Sequence, residues 1–454
     1  MTTASSATDG LTGHDDRSTE GAEGAEGTEN TASTEASGDA GPSPLRRNRP
    51  YLLLMTGLTA DSVGGSVTMF AVPLVALALT GSATAAGVIA AVGNLGALLA
   101  TLPAGVVADR ADRRRLIVTS AGVGALLWGS VVVAGALGAL RPWHLAAALF
   151  GAAVARTFVD PAVSGAFRAV VPAPQLPTAF AAAQGRDAAA EMLGRPLGGV
   201  LYGLAAVVPF VGAAVGQAVA AVCAWCVRAP LNGDLAEARR TSPVAALREG
   251  LRYVWSMPLF RACLGLFVVI NVALGGIMIG INLELARTGT PPVLIGVFSA
   301  VAAGAMLAGS FLAPLLVRRL RLAGSTLLAL GVLVASLAGM AAAQTYTAYV
   351  VLIGVGALLV PTVNSALAGY TAAVTPPRLQ GRLSSVLGLS GLAAAPLAPL
   401  VGGALLDAGG IGVVLWALVV LMAVTVAALC GVRALWRVGT PDTWADDALT
   451  VPAP

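Results

Sequence analysis

Gly105-Val106-Val107-Ala108-Asp109-Arg110-Ala111-Asp112-Arg113-Arg114-Arg115 decides how the chain is read. Its last seven residues hold two carboxylates and four guanidinium groups, and an apolar run lies on either side. So many charges do not enter hydrocarbon, whereas the flanking runs are long enough to cross it. A tight basic cluster between two such runs reads as a short cytoplasmic loop.

Composition agrees. The chain has 454 residues, 57% hydrophobic and 11% charged. Soluble domains carry about 25% charged residues, so a membrane protein is expected. Glycine is abundant at 55, which suits close helix packing in lipid. Residues 1–45 differ: they hold nine acidic side chains, one Arg and Gly-Ala-Glu repeats, and read as a disordered acidic tail. The basic excess beyond it sits in loops. It therefore reports orientation in a bilayer rather than binding to nucleic acid.

Twelve apolar runs follow, at 51–79, 84–108, 116–140, 144–169, 178–205, 208–228, 260–286, 292–317, 323–343, 347–373, 383–406 and 411–432. Each approaches the roughly 20 residues that cross about 30 Å of hydrocarbon. On this register twenty-one Arg residues fall at one face and two, Arg141 and Arg287, at the other. That bias predicts a multi-pass cell-membrane protein with both termini cytoplasmic. Residues 229–259 form the longest loop. Within it Val244, Leu247, Leu251 and Val254 share one face of an amphipathic surface helix. The expected domains are therefore a six-span bundle at 46–228, this linker, a second bundle at 260–433, and a tail at 434–454.

The two halves resemble each other. Pro174-Gln175-Leu176 parallels Pro377-Arg378-Leu379 at an offset of 203 residues, and Pro196-Leu197-Gly198-Gly199 parallels Leu400-Val401-Gly402-Gly403 at about the same offset. Thr80-Gly81 parallels Thr288-Gly289. Internal repeats of this kind mark transporters built from two bundles.

The opening loop resembles the signature loop between helices 2 and 3 of the major facilitator superfamily: Gly, three small or apolar residues, Asp, Arg, one residue, Gly or Asp, then two basic residues. Gly105, Asp109, Arg110, Asp112, Arg113 and Arg114 fill those places. The resemblance implies an all-α membrane fold of twelve helices in two six-helix bundles. It implies a conformational-gating role for Gly105, Asp109, Arg110, Arg113 and Arg114, with Asp109 contacting the facing end of span 11 near Ser384. Thr80-Gly81-Ser82, Pro103-Ala104-Gly105 and Thr375-Pro376-Pro377-Arg378-Leu379-Gln380-Gly381-Arg382 look most like the drug and siderophore exporters of that superfamily. Gly194-Arg195-Pro196-Leu197-Gly198-Gly199 is similar to the exporters' span 5 motif, but Arg195 stands where Pro is expected. Pro399, Gly402 and Gly403 keep that spacing better in span 11.

Ionisable groups inside a span are costly and are read as functional. Asp61 lies about ten residues into span 1, near the midplane, beside Ser62, Gly65, Ser66 and Thr68. Burial disfavours a charged carboxylate, which suits a proton-coupling group. The alternative is a carboxylate held permanently by an Arg of another helix. Arg156 and Asp160 share one face of span 4, and span 5 carries Arg186, Asp187, Glu191 and Arg195. Arg156 and Glu191 fall at comparable depth, so a charge pair is expected to cross between spans 4 and 5. These residues form either an ion-pair network or a substrate site. By the repeat, Asn271 of span 7 corresponds to Asp61. The expected cavity is lined by spans 1, 4, 7 and 10, with Asn94 and Asn364 as lesser candidates.

Cys223 and Cys226 form a C-x-x-C inside an apolar helix and read as packing residues, and neither His14 nor His144 has a nearby partner that would suggest metal binding or acid-base catalysis. No metal site, cofactor or enzymatic chemistry is expected. The implied partners are a small-molecule substrate, protons or Na⁺, and the lipid bilayer, with the chain acting as a monomer.

Overall fold

The computed structural model describes residues 45–108, 110–232, 248, 251–252, 254–256, 258–375, 377–440 and 444. The acidic tail, Asp109, the Ser384 side chain and most of the expected amphipathic linker helix lie outside the described residues, as does most of the tail after 440.

Every spanning element among the described residues is helical. The helices are α1 (Arg49–Thr80), α2 (Ala83–Ala108), α3 (Arg113–Ala136), α4 (Pro142–Val170), α5 (Leu176–Leu204) and α6 (Val208–Cys226) in the first half. The second half has α7 (Pro258–Arg287), α8 (Pro292–Arg319), α9 (Leu322–Ala343), α10 (Tyr346–Leu358), α11 (Val360–Val374), α12 (Pro377–Ala394) and α13 (Leu397–Cys430), followed by the short α14 (Arg433–Arg437).

Local chemistry sets several of these ends. The Asn48 side chain accepts from the Tyr51 amide at 3.1 Å, and Pro50 sits in the first turn of α1. Gly81 ends α1 with a left-handed backbone, and Gly289 takes the same conformation at the equivalent place in the second half. Asp112 caps α3 by accepting from the Arg115 amide at 2.8 Å.

Ten helical stretches among the described residues are long and apolar enough to cross a membrane. Two features raise the crossings to twelve. The stretch 386–430 runs to 45 residues and holds two passes, because Gly409 and Gly410 leave helical geometry between them. α5 is not among the ten, since Arg186, Asp187, Glu191 and Arg195 interrupt its apolar character, yet it packs lengthwise between α1 and α8. With an even number of crossings, residues 49 and 437 lie on one face, called here the terminal face. Exposed tryptophans mark both ends of the helices: Trp225 and Trp436 near the terminal face, Trp143 near the opposite one. Such placement is usual at membrane–water interfaces.

Two spans are less regular than the hydrophobic pattern predicts. Span 10 is broken at Leu359 into α10 and α11, and span 11 is broken at Ala395–Pro396 between α12 and α13. The division between spans 5 and 6 falls at residues 205–207, and the buried Thr68 hydroxyl donates to the Pro209 carbonyl at 2.9 Å just beyond it.

α1–α6 pack chiefly on one another, as do α7–α13. The halves meet mainly along α5–α8 and α2–α13.

Candidate functional site

The meeting of the halves depends on missing side chains. A Cβ on Gly199 would run into the Pro292 carbonyl, and one on Gly403 into the Ala83 carbonyl. Gly87 stands equally close to the Pro399 carbonyl. Within each half, Gly194 and Gly198 bring α5 onto α1 at Ser66, Val67 and Phe70, and Gly402 brings α13 onto Gly276 of α7. Pro196 lies beside Gly296 of α8. All the contacts between the halves named here fall on the half of the molecule away from the termini.

That face also carries a polar bridge. The carboxylate of Asp407 accepts from the Ser82 hydroxyl at 2.7 Å, the Thr84 amide at 2.8 Å and the Ala83 amide at 3.2 Å. Arg287 of α7 pairs with it at 3.3 Å. Deeper in, the Asn94 amide donates to the Ala395 carbonyl at 2.9 Å, where span 11 is broken.

Below this closure lies a cavity of about 680 Å³. Its wall is mostly apolar, with Met69, Val72, Trp128, Leu149 and Ile279 among the lining. The polar part is one-sided: Arg156, Asp187, Glu191 and Arg195 come from the first half, and Asn271 from the second. The Asn271 side chain donates to the Phe267 carbonyl of its own helix at 2.8 Å. The lining comes from α1–α7, α12 and α13, so of the expected spans, 1, 4 and 7 contribute, span 10 does not, and α2, α3, α5, α6 and span 11 join them. α10 and α11 contribute nothing to the described wall, and Asn364 is not part of it. The short Gly contacts pull α2, α5 and span 11 to the centre instead.

The charges pair differently from the sequence expectation as well. Arg156 forms its ion pair with Asp61 across α4 and α1, not with Glu191 of α5. Glu191 pairs with Arg195 one turn along its own helix, and Asp187 with its neighbour Arg186 at 2.7 Å. Asp187 also accepts from the Ser62 hydroxyl at 2.7 Å, tying α5 to α1. Asp61 is buried, while the Arg156 side chain is 43% exposed and lines the cavity. The pair thus joins the bundle interior to the cavity wall. Asp160 stands one turn from Arg156 on α4, within its electrostatic reach.

The basic loop is fixed to its own half. Arg113 donates to the carbonyls of Leu231 at 3.0 Å and Gly165 at 3.3 Å, and Arg114 donates to that of Trp225. Asp112 accepts from Asn232 at 3.2 Å. Arg110 is exposed, and among the described residues nothing lies within 4 Å of where a Cβ on Gly105 would sit.

Two site residues escaped the sequence reading. Asp407 falls in α13 just before the Gly409–Gly410 break, at the end of a span, where charge is unremarkable. Its only signal is a lone acid beside Gly409-Gly410. Gln217 of α6 is buried and lines the cavity, yet one amide in an apolar helix carries no pattern.

The family model of the Major Facilitator Superfamily matches residues 54–368. The chain belongs to that superfamily. It is accordingly a multi-pass membrane protein of the secondary-transporter type. No curated protein matches it. Among solved structures, the fold is similar to a bacterial homolog of the human lysosomal transporter Spinster in an inward-facing, unoccupied conformation. That match has 17% identity and a TM-score of 0.66, and covers 91% of this chain and 100% of that one. The nucleoside transporter NupG matches with a TM-score of 0.69 at 11% identity, over 86% of this chain and 100% of that one. A bacterial homologue of the iron transporter ferroportin, inward-facing, matches with a TM-score of 0.65 at 18% identity, over 84% and 98%.

Proposed function

We propose that this superfamily member is a proton-coupled exporter of small apolar or amphipathic compounds, with the terminal face in the cytoplasm and the cavity open to it. The ion pair of Asp61 and Arg156 carries this reading. Protonation of Asp61 removes the charge that holds Arg156. The guanidinium, already at the cavity wall, then changes what the cavity can hold. One proton and one substrate thereby compete through a single side chain, which is the linkage an antiporter needs.

The mostly apolar wall suits substrates that partition from the inner leaflet. The arginine bias supports a cytoplasmic terminal face. Both the Spinster homolog and the ferroportin homologue were described as inward-facing, and closure of this chain lies on the face away from its termini. Each proton entering across 100 mV supplies about 2.3 kcal/mol.

Everted membrane vesicles test the direction. Accumulation of an amphipathic dye when the lumen is acidified supports proton-driven export. Loss of preloaded compound from the vesicles under the same gradient marks an importer and overturns the assignment.

A further inference from the structure

A second space touches the Asp61–Arg156 pair. It lies inside the first bundle, on the terminal-face side of Asp61, among Leu54 and Leu58 of α1, Ile117, Ser120 and Ala121 of α3, Val159 and Val163 of α4, and Ala220 and Ala224 of α6. Arg156 and Gln217 line both this chamber and the large cavity, and so stand as the partition between them. Asp61 lines the chamber only.

The chamber offers about 20 Å³ of room. One water needs roughly 10–15 Å³ on that measure, so it holds one water and little more. One of its polar groups also lacks a partner among the described residues. Gln217 is 8% exposed, and its Oε1 has no hydrogen-bond donor among the described residues. The amide is wedged against α3 at Gly124, where a Cβ would overlap it. A buried acceptor without a donor is destabilising, and an enclosed water is the usual remedy.

We infer that a single water occupies this chamber, donating one hydrogen bond to the Asp61 carboxylate and the other to the Gln217 side-chain oxygen. The Arg156 guanidinium on the same wall makes it a poor place for Na⁺. The inference rests on the coupling role given to Asp61 and deepens it. When Arg156 leaves, the water keeps a donor on the carboxylate, so Asp61 retains hydration although the substrate cavity lies beyond the partition. Gln217 is then a positioning residue, acting through the water. Arg156 pairs with Asp61, and Asp160 on α4 lies within electrostatic reach of both. On α5, Asp187 bonds Ser62, the neighbour of Asp61, and pairs with Arg186. On α3 and α6 the polar groups of the described lining are Ser120 and Gln217.

Two variants test this in the full-length protein reconstituted in liposomes. Gln217→Leu removes the acceptor at similar volume. Ala121→Val fills the chamber, and Ala121 does not line the substrate cavity. Losing one hydrogen bond to a carboxylate disfavours its charged form. The pH of half-maximal proton-driven transport should therefore rise by about one unit in both variants. Substrate counterflow, which needs no net proton movement, should stay near wild type in Ala121→Val. An unshifted pH profile in both variants overturns the inference. So does an Na⁺ requirement for transport that Gln217→Leu abolishes, since the chamber would then hold a cation. Asp61→Asn separates the two readings: if it uncouples transport while both chamber variants behave as wild type, the carboxylate role stands and the water falls. If Asp61→Asn remains coupled, the coupling role itself fails.

Discussion

Asp407 of α13 accepts a hydrogen bond from the backbone amide of Thr84 at 2.8 Å and so caps the first turn of α2 from the other half of the molecule. With Ser82 and the Ala83 amide as further donors, the carboxylate answers both the free amides and the positive end of the helix. A cap supplied across the two halves lasts only while they are together on this face.

Asp407→Asn keeps the size and removes the charge. Caps and charged hydrogen bonds are each worth about 1–2 kcal/mol, so the open form of this face should gain roughly tenfold in population. Spin labels at the ends of α2 and α13 would report a longer distance component by pulsed electron resonance. An unchanged distance distribution would show that apolar packing alone closes the face.

Asp61 and Arg156 give an asymmetric prediction. Asp61→Asn should abolish proton-driven transport while the protein still reaches the membrane and binds substrate. Arg156→Ala leaves a buried carboxylate without its partner, a loss of about 3–5 kcal/mol. It should lower the melting temperature far more than Asp61→Asn does, and Asp61→Asn added to Arg156→Ala should restore much of the loss. Scanning fluorimetry in detergent measures all three variants. Equal melting temperatures would mean the pair contributes little to the fold.

Gly403→Ala places a methyl group against the Ala83 carbonyl. The substitution penalises only the conformation in which α2 and α13 touch, so it should favour opening on the opposite face and slow transport. A cysteine introduced at the half-buried Ser82 should become more reactive to an impermeant maleimide in this background. Unaltered labelling would mean the helices separate elsewhere.

How much of this was legible depends on which interaction decided it. Hydrophobic length located the crossings, α5 included despite its four charges. The breaks at Leu359 and Ala395–Pro396 were not readable. Prolines 73, 103, 161, 196 and 314 all sit inside unbroken helices, so a proline alone does not forecast a break in a packed membrane helix. The charges of the site were visible one by one. Their pairing was not, because depth was counted along each span while the rotation of α1, α4 and α5 about their axes came from glycine contacts. Asp61 therefore met Arg156, and Glu191 stayed with Arg195 on its own helix.

Asn271 separates binding from stability. Its amide donates to the Phe267 carbonyl of its own helix, which already has a place in the helical ladder, so the fold gains little from this bond. On the cavity wall it is the polar side chain that the second half contributes to the described lining, facing the charges of the first. Asn271→Leu should leave the melting temperature of the empty protein within a degree or two. The same change should weaken binding of amphipathic substrates that carry a hydrogen-bonding group by up to about tenfold, the worth of one hydrogen bond. Purely apolar substrates should bind as before or slightly better. Ligand-induced thermal shifts across a matched pair of compounds, with and without the polar group, measure the difference directly. If both compounds lose affinity equally, Asn271 shapes the cavity rather than reading its contents.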